Sequence, residues 1–185
     1  MRLDHIAYRS KDRYKTAKFF KDALGYEIGT EFQIKFDDGG TADCLALVPP
    51  ENRTQYTDLW TLSTHISLNE YEAENEMQYH APPEIFVSDG PAGSIVGDWV
   101  ADRGGVGGIH HIAYQVEDVD GTMKEWRNKG YAEFLSEEPM ECPGLKQVFT
   151  KPSELTGVIY ELISREGKGF CELNVKGLME STKGN

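Results

Sequence analysis

The chain has 185 residues, 39% of them apolar, which is enough for one large domain or two small ones around a hydrophobic core. Its formal net charge of −12 repels phosphate backbones, so we do not expect nucleic acid as a partner. The sequence contains no run of 18 apolar residues and its N-terminus lacks the apolar segment of a signal peptide. We therefore expect a cytoplasmic protein without membrane contact.

The first predicted element is a strand, in which alternation places Leu3, His5 and Ala7 on one face. A helix follows, with Asp12 at the N-cap position and Gly25 at the C-cap position. Three further strand-rich runs complete this unit: YEIGTEFQIKF, TADCLALV and EIFVS.

The tetrapeptide HIAY, which begins this unit, occurs again later in the chain, and the similarity continues beyond it. The matched pairs are His5 with His111, Asp12 with Asp118, Thr16 with Thr122 and, after a one-residue slip, Gly25 with Gly130. A chance tetrapeptide would not carry this further agreement, so the sequence predicts two copies of one supersecondary unit. In the second copy, alternation points His110 away from the face of His111.

The repeat predicts an α+β fold in which two βαβββ modules form one curved mixed sheet, or cup, with outer helices. The expected divisions are residues 1–90 for the first module, with an insertion at about 50–80; 91–108 for a linker helix and glycine-rich hinge; 109–165 for the second module; and 166–185 for a C-terminal helix and tail. The insertion is polar and long, so we interpret it as a lid or a partner-contact segment.

Four side chains are candidate metal ligands: His5, His111, Glu161 and Glu84. Two histidines at equivalent positions of two modules can face one another, and Glu161 lies among isoleucines, where a buried carboxylate needs a partner or a metal. Glu84 is the expected repeat equivalent of Glu161, because EIFV aligns with ELIS. Both carboxylates are also candidate acid–base groups.

Two histidines and a carboxylate with open positions are typical of non-haem Fe(II) sites, although Zn, Mn, Co and Ni accept the same ligands. The set contains no cysteine, which argues against a closed structural zinc site. We interpret the remaining histidines, His65, His80 and His110, as structural or exposed. The three cysteines are widely spaced, which favours a reducing compartment over a disulfide framework.

The tandem repeat and its H…H…E set resemble the vicinal oxygen chelate superfamily of glyoxalases, bleomycin resistance proteins and dioxygenases. The C-terminal run LKQVFTKPSELTGVIYELISREGKGFCELNVKGLMES is most similar to the C-terminal domain of 4-hydroxyphenylpyruvate dioxygenases, with methylmalonyl-CoA epimerases next. This resemblance implies His5, His111 and Glu161 as iron ligands. It also implies that Gln147, Phe170 and Asn174 contact the substrate.

The C-terminal run also departs from the dioxygenase pattern. Val175 stands where that branch has a phenylalanine, and Cys171 and Leu173 stand where it has glycines. The segment before the Gln147 strand is much shorter than in the dioxygenases. These departures weaken the expectation that hydroxyphenylpyruvate itself is the substrate.

The resemblance leaves three functions open. The first is an Fe(II) dioxygenase acting on a 2-oxo acid. The second is a metal-dependent epimerase or glyoxalase-type enzyme, for example acting on an acyl-CoA, in which Glu84 or Glu161 moves a proton. The third is a non-catalytic small-molecule-binding protein. A homodimer is compatible with each of them.

Overall fold

A computed structural model describes residues 1–49, 82–166 and 170–183. The insertion predicted at about 50–80, with its interpretation as a lid, lies outside the described residues. The same holds for His65 and His80.

Eight strands and four helices make up the described chain. They are β1 (Arg2–Arg9), α1 (Arg13–Leu24), β2 (Glu27–Lys35), β3 (Thr41–Val48), β4 (Glu84–Asp89), α2 (Ile95–Asp102), β5 (Gly108–Gln115), α3 (Val119–Lys129), β6 (Met140–Cys142), β7 (Leu145–Phe149), β8 (Ile159–Arg165) and α4 (Glu172–Ser181). None of these helices is long and apolar enough to cross a membrane.

The eight strands form one sheet in the order β2-β3-β4-β1-β5-β8-β7-β6. The first strands of the two modules, β1 and β5, pair antiparallel at its centre. On either side, β1 pairs in parallel with β4, and β5 pairs in parallel with β8. The strand order is therefore symmetric about the β1–β5 pair, and the predicted α+β fold of two repeated modules is confirmed.

The predicted caps of the two equivalent helices are confirmed. The side chain of Asp12 accepts a hydrogen bond from the backbone N–H of Lys15, and α1 ends at Gly25 with φ of 76°. In α3, Asp118 accepts from the backbone of Gly121, and Gly130 ends the helix with φ of 68°. A left-handed residue is needed at both C-caps, which explains the glycines.

The helices lie on both faces of the sheet, and the predicted outer position is confirmed for the helices of the two modules. Helices α1 and α3 cover one face, where Phe20 packs near Leu45 and Met123 packs near Val148. Helices α2 and α4 pack on the face that carries Ala7 and Phe86. They fill the concave side of the sheet, so the cup is closed by the protein's own C-terminal helix.

Cys142 of β6 and Cys171, the residue before α4, form a disulfide with a Cα–Cα distance of 6.5 Å. The expectation of unpaired cysteines is therefore wrong for these two, whereas Cys44 is free and buried. Twenty-nine positions separate the pair along the chain. Their spacing in sequence gave no sign that the fold brings them together.

Candidate metal centre

Three side chains meet in the middle of the concave face: His5 of β1, His111 of β5 and Glu161 of β8. The Nε2 atoms of the two histidines are 3.3 Å apart, and Oε2 of Glu161 lies 3.2 Å from His5 Nε2 and 3.4 Å from His111 Nε2. All three residues are buried. Among the described residues they are the one group of three or more His, Cys, Asp or Glu side chains with the spacing of a metal site.

The triangle of donor atoms fits a divalent ion. Atoms about 2.1 Å from a common ion at these separations would subtend angles of about 100–110° at it, between octahedral and tetrahedral values. All three donors lie on one side of such an ion. The Nε2 atoms of His5 and His111 are therefore close enough to bind one ion, as the repeat predicted.

A β-bulge precedes each histidine of the triangle. In the β1–β5 ladder the register shifts at Asp4 on β1 and at His110 on β5. A bulge adds a residue that has no partner in the ladder and turns its side chain. Asp4 and His110 are thereby brought against the Nδ1 atoms of the histidines that follow them.

Asp4 fixes the orientation of His5, since its Oδ1 lies 2.7 Å from His5 Nδ1. Arg165 holds the same carboxylate at 2.9 Å. Burial disfavours a charged His5, but the carboxylates of Glu161 and Asp4 outweigh burial and raise its pKa to about 9. Without a metal, His5 therefore carries a proton at neutral pH, with Nδ1–H directed at Asp4.

His111 is oriented by a neutral partner, because its Nδ1 lies 3.0 Å from Nδ1 of His110. The prediction that His110 points to the opposite face is wrong. The bulge turns its side chain inward, where it is buried and lines the cavity that also contains His5, His111 and Glu161. Burial, together with nearby positive charge, holds the pKa of both residues well below the usual value. His111 Nε2 is thus a free lone pair when Nδ1–H donates to His110.

Glu161 is fully buried at the centre of β8. Burial raises its pKa, while the adjacent His5 lowers it in part. In the metal-free protein His5 and Glu161 form a buried pair, in which the charge of each affects the pKa of the other.

The strand register corrects the predicted equivalence of Glu84 with Glu161. Ala113 of the second module pairs with Glu161. The residue equivalent to Ala113 in the first module is Ala7, and Ala7 pairs with Phe86. The alignment of EIFV with ELIS is therefore wrong by two residues. The symmetry counterpart of Glu161 is an apolar ring, and Phe86 lines the cavity beside the triangle.

Glu84 lies two residues before Phe86 on β4, where it is the ladder partner of His5. Its Oε2 accepts a hydrogen bond from Arg165 at 2.9 Å, so this carboxylate is neutralised at the rim. It does not belong to the triangle of donor atoms.

Two of the three expected substrate contacts line the cavity above the triangle. Gln147 of β7 is buried in its wall, and the ring of Phe170 packs edge-on against His5 with centroids 4.9 Å apart. Asn174 is buried on α4 but is not among the residues that line this cavity; its Oδ1 lies 3.2 Å from Cys142 Sγ. The cavity encloses about 20 Å³, which is room for about one water molecule. A larger ligand therefore requires part of the lining to move, and α4 supplies Val175, Leu178 and Met179 to that lining.

Two residues of the site were missed by sequence reasoning. Asp4 stands beside His5 in the chain, and strict alternation assigned it to the other face. Arg9 lies on the same face of β1 as His5 and Ala7, two residues after Ala7, and it lines the cavity. The alternation alone could have identified it, since it places a second polar side chain, Arg9, on the same face as His5.

The chain is similar to proteins of two enzyme types. It is 26% identical over 162 residues to the ethylmalonyl-CoA/methylmalonyl-CoA epimerase of Cereibacter sphaeroides, an alignment that covers 87% of this chain and 96% of that protein. A variant of the Streptomyces coelicolor methylmalonyl-CoA epimerase, solved in complex with 2-nitronate-propionyl-CoA, has 22% identity and a TM-score of 0.57, with 90% of this chain and 99% of the other covered.

A 4-hydroxymandelate synthase variant, also from Streptomyces coelicolor, has a TM-score of 0.70 at 17% identity. That superposition covers 98% of this chain and 53% of the synthase. The family model described as the glyoxalase/bleomycin resistance protein/dioxygenase superfamily matches residues 4–146, well over half of the chain. Together with the two-module fold, this match shows that the chain belongs to the glyoxalase/bleomycin resistance protein/dioxygenase superfamily.

Proposed function

We propose that this protein is an Fe(II)-dependent dioxygenase that acts on a 2-oxo acid, with His5, His111 and Glu161 as the metal ligands. The observation that carries the proposal is Phe86. A phenylalanine at the symmetry position of Glu161 leaves three donors on one side of the site, with no fourth ligand opposite among the described residues. This is the two-histidine, one-carboxylate arrangement of non-haem Fe(II) oxygenases, in which the remaining positions stay open.

The residues around the triangle support this chemistry. When bound, the metal supplies activation of dioxygen and a chelation point for two neighbouring substrate oxygens. Gln147 is buried in the cavity wall, and in this proposal its side-chain amide donates a hydrogen bond to a substrate oxygen. The rings of Phe86, Phe149 and Phe170 wall the cavity and exclude water.

The second candidate is epimerisation of an acyl-CoA, which is favoured by the 26% identity to the Cereibacter sphaeroides epimerase. That chemistry requires groups that remove and return a proton beside a carbonyl. Among the described residues that line the cavity, Glu161 is the only carboxylate. It lies within the metal triangle, so a second base would have to come from elsewhere.

One experiment separates the two candidates. Protein reconstituted anaerobically with Fe(II) is exposed to dioxygen with a panel of 2-oxo acids, and oxygen uptake is followed with an electrode. We expect uptake that matches the loss of the 2-oxo acid and that disappears in Glu161→Gln. Incorporation of solvent deuterium into methylmalonyl-CoA without oxygen uptake would instead establish the epimerase.

Replacement of Asp4 by asparagine should weaken metal binding by about 10–100-fold, the usual effect of losing an outer-shell partner of a ligating histidine. The change keeps the side chain's shape but removes the charge that orients His5. Metal affinity is measured by competition with a chelating dye. The control is Glu84→Gln, which removes the other carboxylate on Arg165 without touching His5. Equal affinities for Asp4→Asn and the control would contradict this role.

Metal affinity should rise with pH by up to about tenfold per unit between pH 6.5 and 9. The pKa of His5 in the folded, metal-free protein is about 9, against an ordinary value of 6.5, so an ion must displace a proton across this window. The stability that the protonated His5 gives to the metal-free protein is complete below pH 6.5 and is lost as pH rises through 9. Calorimetry in buffers of different ionisation enthalpy should show about one proton released per ion at pH 7.5. No release would contradict the raised pKa.

A further inference from the structure

Arg9 is a buried cation for which the described part of the chain supplies no counter-ion. Its side chain is only 2% exposed, and one of its N–H groups, on Nη2, donates to the hydroxyl of Thr182 at 2.9 Å. Its Nε and Nη1 are buried and have no hydrogen-bond partner among the residues that the structure describes. None of the acidic residues in the described part of the chain forms an ion pair with it. A buried charge is costly unless it is paired and fully hydrogen-bonded, so this guanidinium lacks the partner that its burial demands.

The guanidinium belongs to the same cavity as the metal triangle. Arg9 follows His5 and Ala7 on the inward face of β1, and all three line the cavity. Ala7 is the ladder partner of His111, so along β1 the backbone of Arg9 lies about 7 Å from the position opposite His111 and about 13 Å from His5. One end of the cavity therefore offers metal ligands and the other offers a positive charge.

A second unpartnered group accompanies Arg9. His110 Nε2 is buried without a hydrogen-bond partner. When His111 offers its Nε2 lone pair to a metal, His111 Nδ1–H donates to His110 Nδ1, which leaves the His110 proton on Nε2. Both Arg9 and His110 lie against Trp99, at 5.5 Å and 5.9 Å from its ring centroid. This wall thus carries N–H donors with no acceptor among the described residues.

We propose that Arg9 binds a carboxylate of the substrate that is separate from the oxygens that chelate the metal, so that the cavity selects a 2-oxo diacid. The assignment of the chelating end rests on the proposed function, whereas the carboxylate site rests on Arg9 itself. A carboxylate matches a guanidinium in charge and in its planar pair of acceptors, and such pairs are among the stronger hydrogen-bonded contacts in proteins. A water molecule could accept the same hydrogen bonds, but it would leave the charge uncompensated.

A purely structural role is the competing explanation. Thr182 follows the C-terminal end of α4, where a cation stabilises the helix dipole, and Arg9 could serve only to hold this helix. That role accounts for one donor and leaves Nε and Nη1 unexplained. It also makes an opposite prediction for stability, because loss of a helix-holding residue lowers the melting temperature whereas loss of an uncompensated buried charge does not.

The test compares two probes of the same length on Co(II)-loaded protein under argon. 2-Oxoglutarate has a 2-oxo acid at one end and a carboxylate at the other, and 2-oxopentanoate replaces that second carboxylate with a methyl group. Binding is measured by calorimetry and by tryptophan fluorescence, to which Trp99 beside Arg9 contributes. We expect the unmodified protein to bind 2-oxoglutarate about tenfold or more tightly than 2-oxopentanoate. Equal affinity for the two probes would overturn the proposal.

Three variants locate the preference. Arg9→Met keeps the length of the side chain without its charge, and it should lose the preference while binding 2-oxopentanoate as before, with an unchanged or higher melting temperature. Arg9→Lys keeps the charge but not the planar fork, and should retain a reduced preference. The control is Arg103→Met, which removes an exposed guanidinium that also lies against Trp99, 3.6 Å from its centroid, and should retain the full preference. A preference that survives Arg9→Met, or a lower melting temperature with no change in preference, would overturn the proposal.

A separate arm distinguishes failure of this proposal from failure of the proposed function. If neither 2-oxo acid binds the Co(II)-loaded protein, the chelation expected of a dioxygenase is absent. Glutarate is then added to metal-free protein, and its effect on the melting temperature is measured. A rise in the unmodified protein and in Arg103→Met but not in Arg9→Met would support the carboxylate site without the chelating function. If glutarate raises the melting temperature of none of these three proteins, the carboxylate site is rejected.

Discussion

Replacement of Glu161 by alanine is expected to lower metal affinity by more than about a hundredfold and to abolish metal-dependent activity. Loss of an outer-shell partner costs about 10–100-fold, so loss of a ligand must cost more. Glu161 is the sole anionic member of the triangle, and the neutral imidazoles of His5 and His111 would leave the charge of the ion uncompensated. Elemental analysis of dialysed protein measures the loss.

The fold should survive this substitution. In the metal-free protein the Glu161 carboxylate pairs with a protonated His5 at 3.2 Å. Removal of one member of a buried pair is usually costly because it strands a charge, but His5 can lose its proton and become neutral. We therefore expect the melting temperature of the metal-free protein to change little at pH 8.

The matched control is Glu84→Ala. Glu84 is a carboxylate on the same face, on the equivalent strand of the first module, but it pairs with Arg165 and stands outside the triangle. The Glu84→Ala variant should therefore keep its metal. Full metal occupancy in Glu161→Ala would show that Glu161 is not a ligand, and loss of metal in both variants would return Glu84 to the ligand set. Unfolding of Glu161→Ala would indicate a structural site.

The repeat in the sequence was sufficient to predict the fold. The matching HIAY strands predicted a pseudo-symmetric sheet, and β1 and β5 do pair at its centre. Local capping signals at Asp12 and Gly25 also hold, because they depend on a few neighbouring residues and not on tertiary context. Glu161 could be singled out because a charged side chain within an apolar strand is conspicuous in any arrangement.

Residues next to the histidines could not be placed from the sequence, because bulges interrupt the alternation that the prediction assumed. Asp4 and His110 each occupy the extra position of a bulge, and both turn toward the histidine that follows. A bulge is a property of two paired strands, so neither strand alone reveals it. The same limit explains Glu84, since an alignment of letters cannot detect a register offset of two residues that the ladder shows directly.

The position of α4 was also beyond sequence reasoning, since its contacts join the two ends of the chain. Val175 and Met179 of α4 pack with Phe86 and Ala7 of the first module, and Thr182 accepts the hydrogen bond from Arg9. The C-terminal helix thereby closes a cup built largely by the first module and the central strands. The disulfide at Cys171 anchors the N-terminal end of this helix to β6.

Breaking that disulfide should lower the free energy of unfolding by about 3–4 kcal/mol, the chain-entropy value for a loop of this length. We expect Cys142→Ser to show this loss relative to the unmodified protein without reductant, as measured by denaturation with urea. When both proteins are measured in reductant, most of the difference between them should disappear, because the unmodified protein then also lacks the disulfide. A loss that persists unchanged in reductant would mean that the serine perturbs packing and that the link contributes little.

The same substitution should open the metal centre. Phe170, which packs on His5, directly precedes Cys171, so the disulfide holds the ring over the triangle. The enclosed space admits about one water molecule, and Phe170 and Val175 at the N-terminal end of α4 form part of its wall, so we expect this end to move when a substrate or chelator enters. Without the link this movement becomes easier, and a chelator such as EDTA should remove bound Co(II) faster from Cys142→Ser than from the oxidised unmodified protein. Cys44→Ala is the control, because Cys44 is buried and unlinked and its loss leaves α4 anchored. Equal rates in all three proteins would show that α4 moves as freely with its anchor as without it, and access to the metal would then be limited elsewhere.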